Sequence, residues 1–86
     1  MYDFSQLTKD IYNGREIEFA MDNTDYAITY TMEGRQISRN DKLLVDKTGD
    51  IDKFMDILTN SDIIEGHSMK DVFDAQLYNR GSLYIL

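Results

Sequence analysis

The sequence predicts a single α+β domain: a small antiparallel sheet of three to five strands packed with about three short helices, in the order α-β-β-β-(β)-α-α-β. Three observations carry this expectation. Two runs in the N-terminal half alternate apolar and polar residues with the period of a half-buried strand. Segments before and after them place apolar residues at helical spacing behind a capping residue. Short Asn, Asp and Gly clusters separate the segments, and no repeat or low-complexity tract interrupts the 86 residues.

Taken in order, Asp3 can cap a first helix near residues 4–12, with Gln6 completing a capping box and Phe4, Leu7 and Ile11 on one face. Asn13-Gly14 ends it. In REIEFAMD, residues 15–21 form a strand with Ile17, Phe19 and Met21 on one side. After the NTD linker, residues 26–32 form the next, with Tyr26, Ile28, Tyr30 and Met32 facing one way and Ala27, Thr29 and Thr31 the other. Glu33-Gly34 turns into RQISR, and Asn40-Asp41 turns that into KLLVD. Asp50 or Thr48 can cap a second helix near residues 50–58, whose apolar stripe is Ile51, Phe54, Met55 and Leu58. IIEG reads as a short apolar connector. Ser68, with Asp71 three residues on, opens a third helix near residues 68–77 that turns Met69, Val72, Phe73 and Leu77 inward. SLYIL adds a last strand.

A chain of this length buries only about 60–65% of its unfolded surface, so the core must be economical. The 42% apolar content suffices for one and excludes a disordered acidic tail. With no cysteine there is no disulfide or thiolate metal site, and with no proline there is no rigid linker or proline-rich ligand motif. No apolar run approaches the roughly 18 residues of a membrane span, and MYDFSQLTKD lacks the basic and apolar regions of a signal peptide. The expectation is one cytoplasmic domain, residues 1–86.

Sixteen acidic residues against nine basic ones give a net charge of −7. That charge disfavours direct binding to nucleic acid or anionic lipid and favours a basic protein partner. The excess is uneven: residues 50–66 hold Asp50, Asp52, Asp56, Asp62 and Glu65 against a single Lys53. These five are the candidate partner-binding residues; the simpler reading is a solvated face.

DKTGDIDKFMDI fails as a calcium loop. Counted from Asp46, the sixth position, which needs glycine, is Ile51, and the twelfth, which needs glutamate, is Ile57. Counted from Asp50, Phe54 falls on a ligand position. The aspartates instead suit a helix start, where Asp50 and Asp52 complement the macrodipole and Asp52 and Asp56 share a face. His67 is the only histidine and has no partner selected by spacing, and GHS lacks the flanks of a nucleophile elbow. No glycine pattern forms a phosphate loop. No catalytic residue, metal site or cofactor is expected. Of the six tyrosines, Tyr26 and Tyr30 are expected in the core, and Tyr2, Tyr12, Tyr78 and Tyr84 are open to an interface.

GREIEF with YAITY as the following strand, and IIEGHSMKDVF, resemble a group of small proteins from low-GC Gram-positive bacteria, their phages and mobile elements. The resemblance covers most of the chain and rests on Gly14, Ile17, Phe19, Tyr26, Ile28, Gly66, Ser68 and Phe73, which are turn, cap and core positions. It implies an architecture and no active site. The chain also resembles phage-encoded anti-CRISPR proteins in being tiny, acidic, cysteine-free, α+β and without a catalytic motif. That resemblance implies an inhibitor occupying the basic nucleic-acid groove of a CRISPR effector nuclease by charge mimicry. The alternative is a small bacterial accessory or scaffold module, acidic only for solubility. Position in a genome separates the two, phage neighbours favouring the first.

Overall fold

The computed structural model describes all 86 residues. Helix α1 (Phe4–Tyr12) is followed by a meander of four strands, β1 (Ile17–Met21), β2 (Thr24–Thr31), β3 (Gly34–Arg39) and β4 (Lys42–Thr48). Helices α2 (Ile51–Asn60) and α3 (Met69–Asp74), a single 3-10 turn (Arg80–Ser82) and strand β5 (Tyr84–Ile85) complete the chain. The five strands form one antiparallel sheet in the order β4-β3-β2-β1-β5, so the C-terminus returns to lie beside β1. The fold is the α+β class expected from the sequence.

The turns explain why the meander closes so tightly. Asp22-Asn23 and Asn40-Asp41 both have positive φ at each central residue, the backbone that two-residue hairpins need to match strand twist. The first hairpin therefore turns at residues 22–23, and Thr24 and Asp25 belong to the strand rather than to the linker. The second hairpin turns at Met32-Glu33, with Thr31 paired to Gly34. Met32 therefore leaves the inward row expected of it and is fully exposed, while Tyr30 is about half exposed. Both were expected on the inner side; Tyr30 is next to last in β2 and only partly covered, and Met32 lies past the strand in the turn.

Capping follows the side chains. Asp3 and Gln6 form a reciprocal capping box, the Asp50 carboxylate accepts from the Asp52 and Lys53 amides, and Ser68 Oγ accepts from the Asp71 amide. Helix α3 is shorter than the sequence suggested. Gln76 takes a positive φ, with its amide bonded to Phe73 O and the Leu77 amide to Val72 O, the paired bonds of a Schellman stop. Leu77 is thereby turned off the helix and 39% exposed instead of inward-facing. Between α2 and α3, Ile64 and His67 exchange backbone bonds around Glu65-Gly66, so the connector IIEG is a reverse turn.

Helices cover one face of the sheet. Beneath them, sixteen buried apolar side chains form a single cluster. Phe19 is central: it stacks on Tyr26 at 5.3 Å and meets Phe73 edge-on at 5.1 Å. The last residues hold the first. The Phe4 amide donates to Asp74, and Gln76 Nε2 and the Tyr78 hydroxyl both donate to Tyr2 O. Each sheet edge is blunted against further pairing: β4 carries two register breaks and Lys42 and Lys47, and β5 has only two residues. Beyond β5, Ser82 Oγ rather than a strand amide donor or acceptor meets the Ala20 backbone, while the Asn79 amide also bonds Ala20 O.

Candidate interaction surface

The acidic ridge begins where β4 hands over to α2. Asp50, as cap, is held by two amides, and Asp52 in the first turn lies beside the C-terminal end of α1, where the Tyr12 hydroxyl donates to it at 2.8 Å. Asp56 is one turn further along, accepting from Asn60 Nδ2 at 2.8 Å. Helix α2, of ten residues, is about 15 Å long. Asp62 follows it, exposed. Glu65 sits at the far end of the sheet, its carboxylate accepting from the Tyr26 hydroxyl at 3.0 Å. All five candidate residues are exposed, with Asp52 tied to the end of α1 through Tyr12 and Glu65 tied to β2 through Tyr26.

Tyrosine placement differs from the expectation in a way that shapes this surface. Tyr78 is buried and Tyr2 half-buried, so neither is open to a partner. Tyr30, expected in the core, is instead exposed beside α1. The Arg35 guanidinium lies 5.4 Å from the Tyr30 ring centre and donates to Ile11 O, a cation placed on the negative end of the helix. Tyr12, Tyr30 and Arg35 therefore gather at the end of α1, and Tyr12 joins them to Asp52. Tyr and Arg are among the residue types enriched at interface centres. The sequence held the signal for Tyr12, an exposed aromatic at the end of a helix, but nothing in it brought Tyr12 to Asp52.

The tyrosine hydroxyls that touch this ridge hold their protons. The bond to Asp52 raises the pKa of Tyr12 above the usual phenol value. Burial, then the bond to Glu65, pushes Tyr26 up to about 12.

Compared with known protein families, curated proteins and solved structures, the chain matches none.

Few of the acids are neutralised within the chain. The only ion pairs are Lys47–Asp46 and Lys70–Asp74, both exposed, so two of the sixteen carboxylates have a cationic partner. No three His, Asp or Glu side chains come together in a way that could hold a metal ion. His67 is exposed, and the neighbouring Ser68 hydroxyl serves as a helix cap. No helix is long and apolar enough to cross a membrane.

Proposed function

We propose that this protein is a non-catalytic binding inhibitor that docks its α2 ridge into a basic groove of a partner protein, in the manner of an anti-CRISPR protein occupying the nucleic-acid channel of a CRISPR effector nuclease. The observation that carries the reading is the set of exposed carboxylates from Asp50 to Glu65, none of them in an ion pair, joined through Asp52 to the exposed Tyr12. Grooves that hold phosphates are lined with Lys and Arg, and exposed carboxylates carried on and after a helix can compete for them. The aromatic cluster at one end supplies apolar contact area, which charge alone does not.

The test is competition for a purified CRISPR nuclease between this protein and its guide or target nucleic acid, with association followed at rising salt. Exposed charges are screened over about 8 Å at physiological ionic strength, so association should slow steeply as salt rises. Reversal of Asp52→Lys together with Asp56→Lys should leave the fold intact and weaken binding by more than one rim contact would. Capture of partners from host lysate with both forms extends the test beyond one nuclease. If the reversed protein binds every captured partner as tightly as the wild type, the ridge is a solvated face and the accessory-module reading takes its place.

A further inference from the structure

The face of the sheet opposite the helices is uncovered, and its register is informative. One residue from each of the five strands falls in a single row: Tyr84, Glu18, Ala27, Ser38 and Leu43. Tyr84 and Glu18 stand at one end and Leu43 at the other, Tyr84 60% and Leu43 51% exposed, with the small Ala27 and Ser38 between them. The row is therefore a trough across the sheet. A depression of about 390 Å³ opens here, lined among others by Ala20, Ala27, Ser38 and Tyr84, and by the acidic residues Glu18, Asp25 and Asp41.

These three carboxylates differ from those of the α2 ridge. Asp52, Asp56 and Glu65 accept hydrogen bonds from Tyr12, Asn60 and Tyr26, whereas the side chains of Glu18, Asp25 and Asp41 accept none; like the ridge acids they enter no ion pair, and no Lys, Arg or His lines the depression. Like charges over a concave, partly apolar wall deepen the local negative potential. Glu18 and Tyr84 are directly cross-strand, which brings a carboxylate and an exposed aromatic ring side by side.

We infer that this uncovered sheet face docks an extended, arginine-bearing segment of a partner protein. A guanidinium is planar, forks onto carboxylates and stacks on aromatic faces, so it satisfies Glu18 and Tyr84 together; an ammonium satisfies only the charge. The small floor residues let the segment approach the sheet closely. In an extended segment, arginines at alternate positions face the same way and so meet one side of the trough. Charge complementarity selects the occupant: a second copy of this chain, itself at −7, is repelled by the same carboxylates. The inference stands on a face separate from the α2 ridge and does not rest on what that ridge binds.

A pentapeptide with arginine at alternate positions, titrated into the ¹⁵N-labelled protein at physiological salt, tests it. The amides of Glu18, Ala20, Ala27, Ser38 and Ser82 should shift along a saturating curve, and the matching lysine peptide should bind more weakly. Tyr84→Ala and Glu18→Gln, both at exposed side chains, should retain the native spectrum and each weaken binding roughly tenfold, the loss of one charge-assisted contact. Asp52→Lys with Asp56→Lys should leave the binding near wild type, which separates this surface from the α2 ridge. Shifts that do not saturate, that follow acidic residues over the whole surface, or that survive both Tyr84→Ala and Glu18→Gln overturn the inference.

Discussion

The Tyr12 hydroxyl and the Asp52 carboxylate, 40 positions apart, meet at 2.8 Å and join the end of α1 to the start of α2. Both residues are exposed, so their bond adds little to stability. Its consequence is that the aromatic cluster and the acidic ridge form one continuous surface. A double-mutant cycle on partner binding with Tyr12→Phe and Asp52→Asn should therefore show non-additivity, because the two residues share a contact. Strictly additive losses would mean that each meets the partner independently.

Phe54, on the inner face of α2, is fully buried. Phe54→Ala should cost about 3–5 kcal/mol, the usual result of opening an aromatic-sized cavity in a core that cannot collapse around it. Chemical denaturation measures it directly. A loss below about 1 kcal/mol would place Phe54 at the periphery of the core.

Gly34 follows the Met32-Glu33 turn with φ +135, and a Cβ there would lie 2.4 Å from the backbone oxygen of Thr48. Backbone cannot swing away as a flexible side chain can, and the conformation is strained for any residue with a Cβ. Gly34→Ala should lower stability by more than about 2 kcal/mol. Gly81, with nothing within 4 Å of its would-be Cβ, is the control, and Gly81→Ala should stay within about 0.5 kcal/mol of wild type. Equal melting temperatures for the two variants would refute the close approach of β4 to Gly34.

Tyr26 has a folded-state pKa raised from 10.0 to about 12, mainly by burial and then by its bond to Glu65. A raised pKa means that the folded state holds the proton more tightly than the unfolded chain. The stability so contributed is complete below pH 10 and is lost as the pH rises through the window to about 12. Burial also raises Tyr2 and Tyr78, which act in the same direction. Thermal melts across this window, with tyrosinate absorbance followed in parallel, should show falling stability, and Tyr26→Phe should make the fall shallower. A flat profile would show that the Tyr26 hydroxyl is not sequestered.

Much of the architecture follows from local chemistry. Ile17, Phe19 and Met21 alternate because one side of β1 faces the core, and all three are buried. Asp3, Asp50 and Ser68 cap the three helices at the positions their side chains favour, since capping involves only residues two or three apart. Asn40-Asp41 turns the last hairpin because both tolerate positive φ. Such features need no distant partner, which is why the sequence alone determines them, along with the fold class and the surplus of negative charge.

Tertiary structure decided the rest. Periodicity placed Tyr30 and Met32 on the inner row, but Tyr30 is only partly covered, and Met32 lies past the strand in the turn. No residue type signals the stop of α3 at Asp74, since Gln76 is an ordinary helix former; its positive φ accompanies the turn that brings its side-chain amide to Tyr2 O and seats the Tyr78 ring against Phe73. The meeting of Tyr12 with Asp52, and of Tyr26 with Glu65, depends on where β4 delivers α2 and where the Glu65-Gly66 turn points. The row from Tyr84 to Leu43 exists only because the C-terminus returns beside β1 and five registers align. Strand period assigns each residue a face, but pairing across a sheet is a relation between distant segments, and only the folded chain supplies it.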